Sequence, residues 1–219
     1  MESAGKYQIL IVDDHPIVRQ GIAQLINQEN DLLVCCEAGD ADEAMEKFRT
    51  CKHDVAIVDI SLTGVSGIEL LQMLRQRGYE VPVLVMSMHD ESLYAERALR
   101  AGARGYIMKQ EATEKILTAL RQILKGDIYV SDKMRSRMLQ RLIDNRPEEN
   151  ASPVATLSNR ELEILRMIGQ GFGTGEIARE LKRSVKTIEA HRANIKDKLA
   201  LKTAAELVRF AVQWVENET

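Results

Sequence analysis

Residues 8–16 read QILIVDDHP, an apolar run that ends in two adjacent carboxylates and a proline. Four more compact apolar runs follow within the first 125 residues or so. Segments with apolar residues at three- and four-residue spacing separate these runs, a pattern typical of a parallel sheet covered by helices on both faces. The predicted strands are Gln8 to Val12, Leu32 to Glu37, Val55 to Val58, Val83 to Ser87 and Gly105 to Met108.

Helical segments alternate with these strands. The predicted helices are Ile17 to Asn27, Ala41 to Thr50, Gly67 to Arg77, Ser92 to Ala101 and Glu114 to Lys125. Five strand and helix pairs predict a small doubly wound α/β domain of the flavodoxin-like (βα)₅ type.

Functional side chains of an open parallel sheet collect beyond the carboxyl ends of its strands. The residues at those positions are Asp13 and Asp14 after the first strand, Asp59 after the third, Ser87 on the fourth and Lys109 after the fifth. A flavodoxin-like strand order brings all five into one crevice. Clustered carboxylates repel one another unless a cation lies among them, so the sequence predicts a hard divalent metal, and Mg²⁺ is the expected ion.

Asp59 is the predicted nucleophile because it stands alone at the end of a middle strand. One of its oxygens would attack an anionic phosphoryl donor while Lys109 and the metal neutralise the charge that develops on the phosphoryl oxygens. Asp13 and Asp14 would hold the metal. Ser87 would donate a hydrogen bond to the bound phosphoryl group.

Five short motifs in this half resemble the receiver domain of response regulators, over about residues 6–125. The motifs read IVDDHP at 11–16, VDISL at 58–62, MS at 86–87, AGARGY at 101–106 and MK at 108–109. The resemblance implies that Asp59 is the phosphoacceptor, and that Asp59, Asp14 and the backbone carbonyl of Ser61 ligate Mg²⁺. It implies the following further roles: a water-mediated metal contact for Asp13, the switch hydroxyl for Ser87, the switch aromatic for Tyr106 and the phosphoryl-binding lysine for Lys109.

One motif departs from the family pattern. Receivers usually carry Met-Pro three and four residues after the acceptor, whereas this chain has Leu62 and Thr63. Because proline fixes φ, its replacement predicts a more flexible loop and a changed lifetime of the phosphorylated state.

A second domain is predicted after a polar segment without periodicity, at about 144–156. The first 150 residues carry 19 Lys and Arg against 24 Asp and Glu, whereas residues 151–219 carry 11 against 9. The basic excess of the second half favours a polyanionic partner. The predicted boundaries are 1–128 for the receiver, 129–154 for a connector helix and linker, and 155–219 for a small helical domain.

Residues from Thr156 to Ala211 resemble a LuxR-type helix-turn-helix, which together with the receiver is the NarL/FixJ layout. Capping boxes at Ser158 with Glu161 and Thr203 with Glu206, an N-cap at Ser184 and a stop at Gly171 predict four helices. Lys186 begins the predicted recognition helix, which would enter the major groove of DNA. The predicted DNA-contacting residues are Lys186, Thr187, Glu189, Ala190, His191, Arg192, Ala193, Asn194, Lys196 and Lys198.

The opposite face of this helical unit supplies the predicted core. Its apolar stripe consists of Ile177, Leu181, Val185, Ile188, Ile195 and Leu199. Gly173 and Gly175 stand where the family more often has a serine-like cap and a polar or basic side chain. Because glycine cannot neutralise a phosphate, modest DNA affinity is expected, with more of the binding left to dimerisation.

Several protein classes are disfavoured by composition. The apolar runs are far shorter than the roughly 20 residues of a membrane span, and no signal peptide opens the chain, so a cytoplasmic protein without membrane contact is expected. The three cysteines and four histidines lack the spacing of redox or zinc sites.

The implied function is transcriptional regulation by a two-component phosphorelay. The expected partners are a sensor histidine kinase, double-stranded DNA and a second copy of the chain, with RNA polymerase as a further candidate. Two alternatives remain open. An aspartyl-phosphate hydrolase would also use acidic strand ends, but it usually has an acid two residues after the nucleophile, where this chain has Ser61. A regulator whose receiver serves only for dimerisation would need no phosphate.

Overall fold

A five-stranded parallel sheet forms the centre of the first of two compact units. The units are residues 1–144 and 145–219. The computed structural model describes residues 5–88, 91–143 and 153–216. The strand order is β2-β1-β3-β4-β5. The strands are β1 Tyr7–Val12, β2 Leu32–Ala38, β3 Val55–Asp59, β4 Val83–Ser87 and β5 Gly105–Met108. The helices are α1 Pro16–Asn27, α2 Ala41–Thr50, α3 Gly67–Gln76, α4 Glu91–Ala101 and α5 Ala112–Leu124.

This unit confirms the predicted flavodoxin-like (βα)₅ fold, with shifts of one or two residues at several element ends. The middle strands β3 and β4 are buried along their whole length, because helices cover both faces of the sheet. The edge strand β2 instead has exposed residues at every second position, and only its two end residues are buried. The carboxyl-end residues of β3 and β4, Asp59 and Ser87, are therefore buried as well.

The loop from β3 to α3 approaches the sheet closely at Gly67. A Cβ at this position would lie 2.0 Å from the carbonyl oxygen of Asp59, and the Gly67 N–H donates to the carbonyl of Ile60 at 2.9 Å. Ser66 caps α3 through a complete capping box with Glu69. The glycine and the cap therefore fix the path of the chain just after Asp59.

The chain beyond α5 continues the sheet for one residue. Tyr129 accepts a hydrogen bond from the Tyr106 N–H and donates one to the carbonyl of Arg104, each at 2.9 Å, in a parallel bridge to β5. Ser131 then caps the helix α6, Asp132–Ile143, and its N–H donates to Glu91 Oε1 at 2.8 Å. Residues 129–131 thus pack on the same unit as β5 and α4.

Four helices form the second unit: α7 Asn159–Gly169, α8 Thr174–Glu180, α9 Val185–Lys198 and α10 Ala204–Glu216. The predicted caps are observed at Ser158, Ser184 and Thr203, and Gly171 ends the first helical segment at φ 92°. A Cβ at Gly169 would lie 2.4 Å from the carbonyl oxygen of Ala211, so glycine permits the close packing of α7 on α10.

Two sequence predictions on this unit need correction. Val185 is 49% exposed, although the apolar stripe was predicted to include it, whereas Ile188 and Ile195 are fully buried. Helical side chains lean over the preceding turn, and Val185 opens α9 and has no such turn to cover. Pro153–Thr156, predicted as linker, forms a 3₁₀ turn that buries Val154. The rest of the predicted linker, residues 144–152, lies outside the described residues.

None of the helices in the described ranges is long and apolar enough to cross a membrane.

Candidate phosphoacceptor site and DNA-binding face

Three aspartates meet where β1 and β3 end. Asp13 and Asp59 are 0% and 1% exposed, and Asp14 is half-buried. One ligand atom from each aspartate and one from His15 lie within 4.8 Å of one another. This convergence follows from the sheet, because β1 and β3 are neighbouring parallel strands whose carboxyl ends share one edge.

Lys109 supplies the positive charge of the cluster. It follows β5 in a short 3₁₀ turn, and its Nζ lies 2.7 Å from Asp13 Oδ2 and 2.7 Å from Asp59 Oδ2. The lysine side chain is only 9% exposed. One ammonium therefore links two buried carboxylates on different strands.

Burial and charge act against each other on this pair. Burial raises the pKa of Asp59, which the ammonium of Lys109 opposes and the charge of Asp13 reinforces. Burial tends to lower the pKa of Lys109, but its attraction to Asp59 and its contacts with both carboxylates outweigh burial and raise that pKa. Lys109 is thus held as a cation. It contacts only Asp13 and Asp59 of the three clustered aspartates, so negative charge exceeds positive charge among these four residues.

The cluster also retains unused acceptors. Asp13 Oδ2, Asp14 Oδ1 and Asp59 Oδ1 are buried, and each lacks a hydrogen-bond donor of suitable geometry in the described part of the chain. Asp13 Oδ2 and Asp14 Oδ1 each have a nitrogen at ion-pair distance, Lys109 Nζ and His15 Nδ1 respectively. Buried carboxylate oxygens without donors are costly unless a cation satisfies them, so the donor set fits a hard divalent ion.

Two members of the cluster were missed by reasoning from sequence. His15 Nδ1 lies 2.8 Å from Asp14 Oδ1 and 3.2 Å from Asp13 Oδ1. Thr63 donates to Asp14 Oδ2 through its N–H at 3.1 Å and also through its hydroxyl. The sequence signal for His15 was its position directly after Asp13 and Asp14. The sequence signal for Thr63 was that it stands where receivers usually have proline.

The predicted switch residues lie on the adjoining strands. Ser87 is fully buried at the end of β4, one residue beyond Met86, which pairs with Asp59. Tyr106 is 1% exposed on β5, where it pairs with Val85. Ser61 follows in the loop after Asp59, and its backbone N–H helps to hold the Asp59 carboxylate. The fold therefore brings every predicted pocket residue to one edge of the sheet or to the strands beside it.

The predicted DNA-contacting residues all belong to α9. Its buried positions, Ile188 and Ile195, face the other helices. Six of the ten predicted residues are exposed and four are half-buried, so the helix presents a polar face to solvent. The exposed ones are Lys186, Glu189, Ala190, Ala193, Asn194 and Lys198, and the half-buried ones are Thr187, His191, Arg192 and Lys196.

Lys198 has a contact within its own unit. Its Nζ lies 2.7 Å from Glu161 Oε2, the same carboxylate oxygen that completes the capping box of α7. The lysine side chain remains 40% exposed. A DNA contact by Lys198 would therefore compete with this ion pair. Lys186, at the opposite end of α9, is exposed on the first turn.

Family models match both units. Residues 9–121 match the family described as Response regulator receiver domain, and residues 155–211 match the one described as Bacterial regulatory proteins, luxR family. The chain belongs to the NarL-type response regulators, which join a receiver domain to a LuxR-type DNA-binding domain. This confirms the predicted family and the predicted function as a DNA-binding transcriptional response regulator.

Individual relatives cover nearly the whole chain. The oxygen regulatory protein NreC of Staphylococcus aureus strain JH9 is 39% identical over 210 residues, 94% of this chain and 97% of NreC. RcsB of Salmonella enterica serovar Typhimurium has been solved bound to promoter rprA in the presence of the phosphomimetic BeF₃⁻. That structure is 25% identical to this chain with a TM-score of 0.61, and the match covers 95% of this chain and 99% of the RcsB chain. A LuxR-family response regulator from Aurantimonas is 33% identical with a TM-score of 0.59, covering 64% of this chain and 99% of its own.

Proposed function

We propose that phosphorylation of Asp59 by a sensor histidine kinase controls how this regulator binds double-stranded DNA. The observation that carries the proposal is the asymmetry of the Asp59 carboxylate. Its Oδ2 is held by Lys109 at 2.7 Å, while its Oδ1 is buried without a hydrogen-bond donor among the described residues. One oxygen is therefore anchored and the other is available as a nucleophile.

In the proposed transfer, a carboxylate oxygen of Asp59 attacks the phosphorus atom of a phosphohistidine. A P–O bond forms as the P–N bond breaks, and the imidazole of the kinase leaves with the electron pair and takes up a proton. Lys109 stays beside the reacting carboxylate and neutralises a phosphoryl oxygen. Mg²⁺, when held by Asp13, Asp14, Asp59 and the Ser61 carbonyl, supplies the remaining positive charge.

The contacts of β5 support a route from the pocket to the connector helix. Ser87 would donate to the new phosphoryl group, and Tyr106 is the proposed switch aromatic on the neighbouring strand. The backbone N–H of Tyr106 is bonded to Tyr129, and Glu91 at the start of α4 is bonded to the N–H of Ser131. A shift of β5 or α4 would therefore act directly on residues 129–131.

On the DNA side, the exposed face of α9 would enter the major groove, with Arg192 suited to guanine and Lys186 to a phosphate. A homodimer through α10, where Val208 is 42% exposed, would bind paired half-sites. We further propose that the regulator is located in the cytoplasm and contacts RNA polymerase. The proposed partition is a receiver at 1–128, a connector and linker at 129–154, and the DNA-binding domain at 155–219.

The test treats the full chain with acetyl phosphate and Mg²⁺ and compares it with Asp59→Asn. Intact-mass measurement should detect one phosphoryl adduct on the wild type and none on the variant, because an amide oxygen is a poor nucleophile. Affinity for a duplex selected from a random library should change with phosphodonor for the wild type only. The same adduct on Asp59→Asn would refute the assignment, and DNA binding indifferent to phosphodonor would favour a phosphorylation-independent regulator.

A further inference from the structure

Thr63 makes the contact that distinguishes this pocket from the receiver pattern. It lies in the loop between β3 and α3, four residues after Asp59, and it reaches an acid that is 49 residues away in sequence. Its backbone N–H and its hydroxyl both donate to the same oxygen of Asp14, Oδ2. A proline at this position has neither a backbone N–H nor a hydroxyl, so it could make neither bond.

The two hydrogen bonds from Thr63 fix the orientation of the Asp14 carboxylate. With Oδ2 engaged twice, the second oxygen, Oδ1, is the one that is buried and lacks a suitably placed hydrogen-bond donor in the described chain. The ring nitrogen of His15 lies 2.8 Å from that oxygen, but the His15 side chain is 61% exposed and can turn away. The Asp14 carboxylate is thus oriented with one oxygen tied to the loop and one left for a ligand.

The same contact restrains the loop. Sequence alone predicted that losing proline would loosen it, but two hydrogen bonds to a strand-end residue oppose that loosening. Gly67, close against the Asp59 carbonyl, fixes the other end of the same loop. The loop between Asp59 and α3 is therefore held at both ends, once by backbone packing and once by Asp14.

We infer that Thr63 is a positioning residue for the divalent cation: its hydroxyl holds Asp14 in the orientation that presents Oδ1 to the metal. The inference rests on the proposed function, since it concerns the same acidic pocket. Groups that orient metal-ligating side chains commonly change metal affinity by 10- to 100-fold when removed. Thr63 reaches only one of the three carboxylates, so the lower part of that range is expected here.

The test measures Mg²⁺ affinity of the full chain by isothermal titration calorimetry, with no phosphodonor present. Thr63→Val keeps the shape and the N–H but removes the hydroxyl, and it should weaken Mg²⁺ binding about tenfold. Thr63→Ser restores the hydroxyl and should bind within about twofold of the wild type. Thr63→Pro, which removes both donors, should bind no more tightly than Thr63→Val. Thr118→Val, on the exposed face of α5, is the matched control and should bind as the wild type does.

A second measurement separates orientation of the metal ligand from general damage. At saturating Mg²⁺, the rate of labelling by acetyl phosphate should return close to the wild-type rate in Thr63→Val. Thermal unfolding in EDTA checks that the variants are folded, and Thr63→Ala replaces valine if the branched side chain is not accommodated.

Unchanged or tighter Mg²⁺ binding by Thr63→Val would overturn the inference, and so would failure of Thr63→Ser to restore affinity. If the wild type itself binds no Mg²⁺, the metal site of the proposed function fails as well. If the wild type binds Mg²⁺ and all variants match it, only the role of Thr63 fails.

Discussion

The acidic pocket and the proposed recognition helix, α9, are built in opposite ways. The pocket takes its charged groups from β1, β3 and the turn after β5, and its central members, Asp13, Asp59 and Lys109, are 9% exposed or less. The proposed DNA-contacting residues all lie in one continuous segment, α9, and most of them are exposed. The first arrangement needs the whole fold, whereas the second needs only a helix with one buried face.

This difference predicts how each region responds to change. Buried charges interact strongly because water does not screen them. Removing one of them leaves its partner as an uncompensated buried charge, which lowers the free energy of unfolding. Exposed charges interact weakly and are screened by salt, so their contributions are small and close to additive. Five tyrosines lie in the first unit and the single tryptophan, Trp214, lies in the second, so optical probes can follow the two units separately.

The largest effect is expected for Lys109→Met. Removing the ammonium leaves Asp13 and Asp59 buried without their shared cation, which should destabilise the first unit by about 3 kcal/mol at neutral pH in metal-free buffer. Urea unfolding followed by tyrosine circular dichroism measures this loss. Mg²⁺ should recover part of it, because the ion would replace the missing positive charge.

The matched control is Lys186→Met, which removes an exposed lysine from α9. It should change the stability of the second unit, followed by Trp214 fluorescence, by less than about 0.5 kcal/mol. If Lys109→Met and Lys186→Met destabilise their units by equal amounts, the proposed difference between buried and exposed charges is wrong.

An intermediate effect is expected for Gly175→Lys in α8. Gly175 is exposed, and an added Cβ would meet open space beyond its chain neighbours and its own helix backbone, so a lysine fits there. If this end of α8 faces the phosphate backbone, the added charge should tighten both specific and non-specific DNA binding. The slope of log K against log salt should steepen by about one unit.

Gly175→Gln separates charge from helix propensity, since both substitutions replace glycine with a good helix former. Lys186→Gln should shift the slope by about one unit in the opposite direction. Fluorescence anisotropy at several salt concentrations gives all three slopes. A slope that does not move for Gly175→Lys would mean that this position points away from DNA.

The smallest effect concerns His53, whose ring packs edge-on against Phe48 at a centroid distance of 4.6 Å. Burial lowers the pKa of His53 below that of the unfolded chain, so the unfolded state binds more protons between the two values. Stability from this group is fully present above a pH of about 6.5 and falls as the pH drops through that window.

His53→Phe should therefore flatten the acid dependence of the first unit between about pH 6.5 and the lowered pKa. Tyrosine-detected urea unfolding at a series of pH values measures it. The Trp214 transition of the same samples should keep the same pH dependence in both proteins. An unchanged slope in the first unit would show that His53 titrates normally.

Much of the fold and pocket could be predicted because strand ends determine them. An apolar run followed by Asp59 or by Lys109 has its position set by the sheet, and parallel strands bring those ends together. The hydrogen bonds of Thr63 could not be predicted, because they depend on the path of one loop and on the orientation of one carboxylate. Val185 was assigned to the core because its spacing fits the apolar stripe. Periodicity does not show that a residue at the first position of a helix, such as Val185, lacks a preceding turn to pack against.

Tyr129 has a further consequence for handling the protein. The outer edge of β5 would otherwise present the unpaired N–H of Tyr106 and the carbonyl of Arg104, and an open strand edge is a template for pairing with another chain. Tyr129 occupies those two groups. A fragment cut at residue 128 would lose this protection and is expected to self-associate, whereas one that extends to residue 143 keeps the edge covered.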